Sequence, residues 1–212
     1  MANREIFKYI EAKITDPLRT IRIIRELIVG LFYLTYYCCI KRNVKIKFPF
    51  YVGYKFRITG PGTVKIGKNC AVFPNLLEGL SIVTYSPEAS VIVGDNCLFG
   101  GTTIRCKNRV EVGEKTFTAN CLIQDSIVWH RNNSLEQDRY SIYLKPKKIE
   151  IGRNIWIGAM SCVLPGTKIG NDTVLSAGSL VYEINIPDYS LGAGSPVRRP
   201  VKIDRIIGLT EK

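Results

Sequence analysis

His130 is the single imidazole of a 212-residue chain. An imidazole titrates close enough to neutral pH to take a proton from a weak nucleophile while that nucleophile attacks. A lone histidine is otherwise often a satisfied surface or core residue, so its setting has to decide. The other groups that could do chemistry are few. The seven cysteines form no CxxC pair, and the odd count argues for a reducing compartment rather than a disulfide framework. With one histidine and no paired cysteines, a zinc site has almost nothing to use, and no metal is expected. Lys and Arg number 30 against 18 Asp and Glu, a net charge of +12. That excess favours an anionic partner such as a phosphate-rich cofactor, an acidic glycan or a lipid surface. A solvated basic surface is the plain alternative, and no nucleic-acid partner is expected.

The elements that position these groups show in a period of six. Ile151, Ile157, Val163, Ile169, Leu175 and Val181 are evenly spaced, with Gly152, Gly158 and Gly170 directly behind three of them. Ser161, Thr167, Thr173 and Ser179 stand four places after theirs. Neither a helix nor a flat strand has this period. A triangular coil does, because each of its three short sides buries one aliphatic residue at the same interior point. Weaker units start at Ile66, Val93, Phe99, Val112 and Thr118, with Cys70 and Cys97 in the Ser/Thr slot as small core fillers. The repeat fails between Val112 and Ile151, where Trp129 to Lys148 is polar and aperiodic. An extruded loop at about 126–148, carrying His130, accounts for the gap, and such loops are where function tends to be placed.

Residues 1–43 form a separate helical segment, since Ile10, Ile14, Leu18, Ile21, Ile24, Leu27 and Ile28 recur at three and four places, with a helix start near Asp16-Pro17. Its most apolar run, Leu27 to Ile40, is too short to span a bilayer and is bounded by charges, so it is expected as a buried or interfacial helix. Tyr33, Tyr36, Tyr37 and the basic flanks allow peripheral membrane contact through residues 21–42. No signal peptide is recognisable in the first twenty residues, so the expected location is the cytoplasm or the inner membrane face. The coil is assigned to 44–184 and a basic closing tail, with Arg198, Arg199, Lys202 and Arg205, to 185–212.

The stretch Ile149 to Val201, IEIGRNIWIGAMSCVLPGTKIGNDTVLSAGSLVYEINIPDYSLGAGSPVRRPV, resembles the C-terminal half of hexapeptide-repeat acyltransferases. Within them it is most similar to sugar O-acetyltransferases related to galactoside and maltose acetyltransferases. The resemblance implies an all-β fold, a left-handed parallel β-helix. It also implies a homotrimer, acetyl-CoA in a groove between coils, and direct transfer with a loop histidine as general base, which can only be His130. Asp125 is a candidate for holding the imidazole tautomer, with Glu136 and Asp138 also near in sequence and a plain turn carboxylate as the alternative. Ala159, in Trp156-Ile157-Gly158-Ala159, corresponds to the position that offers its backbone N–H to the thioester, and Trp156 lines a pocket or a subunit contact. Ala177 and Gly178 correspond to the segment against the pantetheine arm. Gly194 permits close approach of the cofactor, and Arg198 reaches a CoA phosphate. One departure is that Tyr182-Glu183 stands where relatives often have Thr-Lys.

Three histidines around zinc, required by carbonic anhydrases of this fold, are not available, and no sequence remains for a nucleotidyltransferase domain. A serine acetyltransferase resembles the tail less. The expectation is therefore an acetyl-CoA-dependent O-acetyltransferase acting on a sugar hydroxyl of a surface glycan or its precursor. An amino-sugar N-acetyltransferase and a non-catalytic scaffold are the alternatives.

Overall fold

Pro17 suits the first position of a helix, where its fixed φ is helical and its missing N–H would have had no partner. Helix α1 accordingly runs Pro17–Ile40. The computed structural model describes residues 17–75, 79–128 and 143–203. After α1 the chain winds as a left-handed parallel β-helix with three faces. Face one stacks β1 (Val44–Ile46), β4 (Thr63–Ile66), β7 (Ser90–Val93), β10 (Arg109–Val112), β15 (Ile149–Ile151), β18 (Lys168–Ile169) and β21 (Asn185–Ile186). Face two stacks β2 (Phe50–Val52), β5 (Cys70–Phe73), β8 (Leu98–Gly100), β11 (Phe117–Ala119), β16 (Trp156–Ile157), β19 (Val174–Leu175) and β22 (Ser190–Gly192), closed by antiparallel β23 (Val201–Lys202). Face three stacks β3 (Phe56–Thr59), β6 (Leu80–Thr84), β9 (Thr102–Cys106), β12 (Leu122–Gln124), β17 (Cys162–Val163) and β20 (Leu180–Val181).

Register follows the hydrophobic period. Ile151 pairs with Ile169, Ile157 with Leu175 and Val163 with Val181, so each interior aliphatic sits on the one a full turn away. Ile157, Val163 and Val181 have no exposed surface. The small polar residues of the repeat turn inward at the corners and hydrogen-bond the next coil. Thr167 Oγ1 donates to the Val181 carbonyl at 3.2 Å and Thr173 Oγ1 to the Pro187 carbonyl at 3.2 Å. Cys70 and Cys97 take the same slot, their thiols directed at the Gly94 and Gly113 carbonyls. Asn69, Asn96, Lys115, Asn154, Asp172 and Tyr189 stack at the corner between faces one and two, all with φ between 54° and 60°. Asn and Asp enter this left-handed region at least cost among residues with side chains.

The coil runs past residue 184. Strands β21 and β22 pair in parallel with β18 and β19, and closure begins only where β23 turns antiparallel. In the gap between Val112 and Ile151, β10 pairs directly with β15, so the coil makes a single turn between them. The expectation that the apolar helical run is too short to cross a bilayer is corrected. Leu18–Ile40 is long and apolar enough by length and composition, because the helix continues through Arg25 and Glu26. Its inner face packs across the first coil. The Tyr37 hydroxyl accepts the Ile58 N–H at 2.8 Å, Tyr33 and Tyr37 meet Phe56 edge-on, and Gly30 lies so close that a Cβ there would fall 1.7 Å from the Phe50 carbonyl oxygen.

Ile157→Ala should lower unfolding free energy by about 2–5 kcal/mol, since it leaves a cavity in a stack with no route to collapse; chemical denaturation checks this. Burial, together with the nearby Asp125 charge, pushes the Cys106 thiol up to about 12, and burial, with a smaller contribution from Cys162, pushes Cys121 to about 12. Folded thiols that stay protonated while unfolded ones ionise stabilise the protein below about pH 9 and lose that contribution as pH rises toward 12. Denaturation midpoints should therefore fall above pH 9, and Cys38 and Cys39, both exposed, should react with a thiol reagent well before Cys106 and Cys121.

Candidate active site

The corner between faces two and three gathers the small residues singled out in the sequence. Ala159 follows β16, Ala177 and Gly178 follow β19, and Gly194 follows β22, on three successive coils. The Gly178 N–H donates to the Ala159 carbonyl at 2.8 Å and the Leu180 N–H to the Gly194 carbonyl at 3.0 Å. Neighbouring amides are consumed in this ladder, Gly158 N–H on Leu175 and Ser176 N–H on Gly192. Among the described residues, the N–H groups of Ala159 and Ala177 have no backbone acceptor, which leaves two fixed donors one above the other along the corner. Gly178 has φ +69°, and a Cβ there would meet nothing within 4 Å. Glycine therefore serves the turn conformation and also leaves clearance over the corner.

Sequence reasoning missed how the corner is held. The Ser176 carbonyl accepts hydroxyl hydrogen bonds from Ser161 at 3.0 Å and Ser179 at 2.7 Å, and both serines are buried. These fix the peptide whose N–H belongs to Ala177. The signal was present as the Ser/Thr slot of the repeat, but its link to the donor could be seen only once the coils were stacked. Asn120, with φ 43°, occupies the same corner one coil earlier, and its carbonyl accepts the Met160 N–H at 2.8 Å.

Trp156 stands on the outer side of face two, 56% exposed. Its ring meets Phe117 edge-on at 6.1 Å, and Phe117 stacks on Phe73 at 5.7 Å. Leu98, Phe117, Trp156, Val174 and Leu191 pair in register, so an apolar stripe runs the length of this face beside the small-residue corner. Face one has the opposite character. Lys148 pairs with Glu111 at 2.7 Å and with Glu150 at 2.5 Å, and its ammonium holds both carboxyls below the usual carboxylate range. Arg198 is exposed and follows Val197, which is buried and donates to the Leu180 carbonyl at 2.8 Å.

His130 lies outside the described residues; the roots of its loop do not. The loop leaves the coil at the corner between faces three and one, through the antiparallel pair β13 (Ile127–Val128) and β14 (Tyr143–Leu144). Asp125 sits at that root with no exposed surface. One carboxylate oxygen accepts the Lys107 N–H at 2.7 Å; the other accepts the Asn108 N–H at 2.7 Å and the Cys106 thiol at 3.3 Å. On the C-terminal root, the Lys147 N–H donates to the Asp125 carbonyl at 3.1 Å, and the Lys147 ammonium pairs with Glu183. Each member of that exposed pair shifts the other toward its charged form, raising the Lys147 pKa and lowering that of Glu183. Glu183, the departure noted at Tyr182-Glu183, is thus engaged by the loop root. The structure brings Ala159, Ala177, Gly178 and Gly194 to one edge of face three, with Trp156 near them on the outer side of face two, and puts Asp125 at the other edge. Among the described residues no group of three or more His, Cys, Asp or Glu is placed to hold a metal.

Comparison with known proteins agrees with this geometry. A family profile described as the hexapeptide repeat of succinyl-transferase matches residues 90–115 and 148–183. A protein of Staphylococcus aureus strain Mu50, named as an acetyltransferase, is 32% identical over 183 residues, which is 85% of this chain and 70% of that protein. The galactoside O-acetyltransferase of Lactococcus lactis strain IL1403 is 45% identical over 58 residues, 27% of this chain and 28% of that one. Among solved structures, a mutant of AntD, an N-acyltransferase from Bacillus cereus determined with dTDP and coenzyme A, aligns with TM-score 0.58 at 19% identity. That alignment covers 82% of this chain and 91% of AntD. The polysialic-acid-specific acetyltransferase NeuO aligns with TM-score 0.52 at 21% identity, covering 75% and 68%. The chain belongs to the hexapeptide-repeat acetyltransferases.

Proposed function

We propose that this acetyltransferase moves an acetyl group from acetyl-CoA to a sugar hydroxyl of a surface glycan or its precursor. The observation that carries the reading is the pair of unengaged N–H donors, Ala159 and Ala177, on successive coils of a corner kept clear by Gly178. Such a corner fits the extended thioester arm of CoA. The Ala177 amide and the clearance at Gly178 accommodate the pantetheine chain, with Gly194, at φ +119°, turning the backbone beside it on the next coil, and Arg198 reaches a phosphate. The Ala159 amide meets the carbonyl oxygen as it becomes an oxyanion, where a fixed donor is worth most.

His130 accepts the hydroxyl proton as the sugar oxygen forms its bond to the thioester carbon. The tetrahedral intermediate collapses, the carbon–sulfur bond breaks, and the departing thiolate takes the proton back from the imidazolium. No acyl-enzyme is needed. Asp125 contributes by fixing the root of the loop, since two backbone amides and a thiol already occupy its carboxylate. The local similarity to a galactoside O-acetyltransferase favours oxygen over nitrogen as acceptor.

The loop root and the small-residue corner lie at opposite edges of face three. This favours a site shared between copies, with the loop of one copy reaching the corner of a neighbour. The apolar stripe of face two is the surface such a homotrimer would bury, while the charged face one stays in water.

Acetyl-CoA hydrolysis or transfer, followed by thiol release with sugar and amino-sugar acceptors, tests the reading; no turnover with any acceptor and no CoA binding would remove it. His130→Ala should reduce turnover by roughly two orders of magnitude or more with CoA affinity nearly intact. Arg198→Ala should weaken CoA binding by about tenfold, as expected for a lost charge-assisted contact at a partly solvated site, with kcat little changed. Mixed assemblies of His130→Ala chains with chains blocked at the corner by Gly178→Trp should recover activity in part. Sedimentation should give three times the 23.9 kDa chain mass.

A further inference from the structure

Helix α1 is apolar on two opposite sides, and the coil covers one of them. Its inner side carries Gly30, Tyr33 and Tyr37 against Phe50 and Phe56. On the other side Ile21, Ile24, Ile28, Leu31, Phe32 and Tyr36 are all exposed, Ile28 at 63% and Phe32 at 64%. Exposed Arg25 and Thr35 interrupt this side, and the long Arg25 stem can carry its charge out to a polar layer; an apolar helix face of this size still marks an interaction site. The helix lies across the open end of the coil, against β1, β2 and the Phe56 strand, so this face points along the coil axis away from the rest of the molecule.

The net charge of the chain is concentrated at the same end. From Lys41 to Lys68 the sequence has eight Lys and Arg and no Asp or Glu, a contribution of +8 to the total of +12. Lys45, Lys47, Lys55, Arg57, Lys65 and Lys68 are exposed on the first two coils, directly behind the helix. Over residues 149–203, which hold the small-residue corner, five Lys and Arg face four Asp and Glu. The cationic excess is therefore not explained by a phosphate-bearing thioester substrate bound at that corner. An apolar face ringed by cations, with Glu26 the single acid of the helix and paired with Arg22 at 3.6 Å, matches the acyl-chain boundary and headgroup layer of an anionic bilayer.

We infer that α1 docks the protein on an anionic membrane surface, lying in the plane of the interface with its outer face among the acyl chains and the collar of the first coils against the headgroups. The helix is long enough to cross a bilayer, but crossing would strip Tyr37, Gly30 and the aromatic cluster from the coil and expose Phe50 and Phe56. Lying flat keeps both apolar faces out of water. Strands of a sheet are about 4.8 Å apart, and four such steps separate β2 from β16, so Trp156 and Ala159 stand roughly 20 Å from the surface. Given the catalytic reading above, this is the reach of a sugar carried some units out on a lipid-linked glycan.

The test is flotation of the full-length chain with vesicles of phosphatidylglycerol and phosphatidylcholine, and with vesicles of phosphatidylcholine alone. The wild type should float with the anionic vesicles, lose most binding without the anionic lipid, and bind less as salt rises. Ile28→Glu combined with Phe32→Glu, at exposed positions, should cut partitioning at least tenfold while the melting temperature and CoA affinity stay unchanged. Lys45→Gln with Lys47→Gln should weaken binding to anionic vesicles only. A wild type that stays unbound, or a Glu double variant that floats as well as the wild type, overturns the inference. So does a wild type that remains off the vesicles while the Glu variant lowers the assembly mass, because the face is then a contact between copies. Flotation needs no acyl transfer, so its failure is distinct from failure of the acetyltransferase reading.

Discussion

A parallel β-coil satisfies the backbone N–H and C=O groups of each turn only through the turn before and the turn after. The register, the ends and the loop exit of this chain all answer to that constraint. Within the stack it demands constant register, which is why Ile151, Ile169 and Ile186 lie along one ladder and why small Thr, Ser and Cys recur in the corner slot, with buried Asp125 held at a corner by two amides and a thiol. At the ends it leaves open edges that would pair with other chains if uncovered. Helix α1 covers the first coil, and antiparallel β23 covers part of the last. Between the ends it forbids any added residue from entering the ladder, so the extra residues of the third face can leave only at a corner.

The period of six made most of the fold legible, because one interior point per side admits one aliphatic residue. It failed where the step changes. Val181 and Ile186 are five apart, and the count stopped there although the ladders continue for two more strands. Face-to-face relations were also invisible. Asp125 could be paired only with sequence neighbours such as His130, whereas its partners Lys107 and Asn108 come from the preceding coil. Glu183 stood out as a departure, yet its partner Lys147 lies 36 positions away. The helix was recognised from its three-and-four spacing, but which of its two apolar sides meets the coil depends on Gly30, whose missing side chain allows the close approach to Phe50.

The candidate site was legible to the extent that its residues are also repeat residues. Ala159, Ala177, Gly178 and Gly194 occupy corner positions where the stack demands small side chains, so composition alone cannot separate a groove from a turn. What separates them is the hydrogen-bond inventory taken with exposure. The amides of Gly158, Met160, Ser176 and Gly178 are consumed by neighbouring coils; those of Ala159 and Ala177 have no backbone acceptor and sit at an edge where Ala177 and Gly178 are exposed, whereas Ser161 and Ser179, whose amides also lack one, are buried. Ser161 and Ser179 hold the peptide between Ser176 and Ala177 in place, so this donor is fixed before any ligand arrives. Preorganisation of that kind leaves no ordering cost at this amide when a ligand binds.

The three faces differ in ways that the stacking alone does not require. Face one carries Lys148 between Glu111 and Glu150, a half-exposed surface ion-pair network suited to water and worth little to stability. Face two carries aromatic and aliphatic side chains in register from Leu98 to Leu191, with Trp156 more than half exposed. A coil that needed only to fold could have placed charged residues on both, since the interior of the stack is unaffected by what points outward. On the proposed reading of a site shared between copies, the asymmetry has a use outside the single chain. The small-residue corner bounds the apolar face, and the loop root lies on the far edge of face three. A neighbour packed on face two would cover the stripe and could bring its own loop toward the two unengaged amides, so one surface would serve both association and completion of the site.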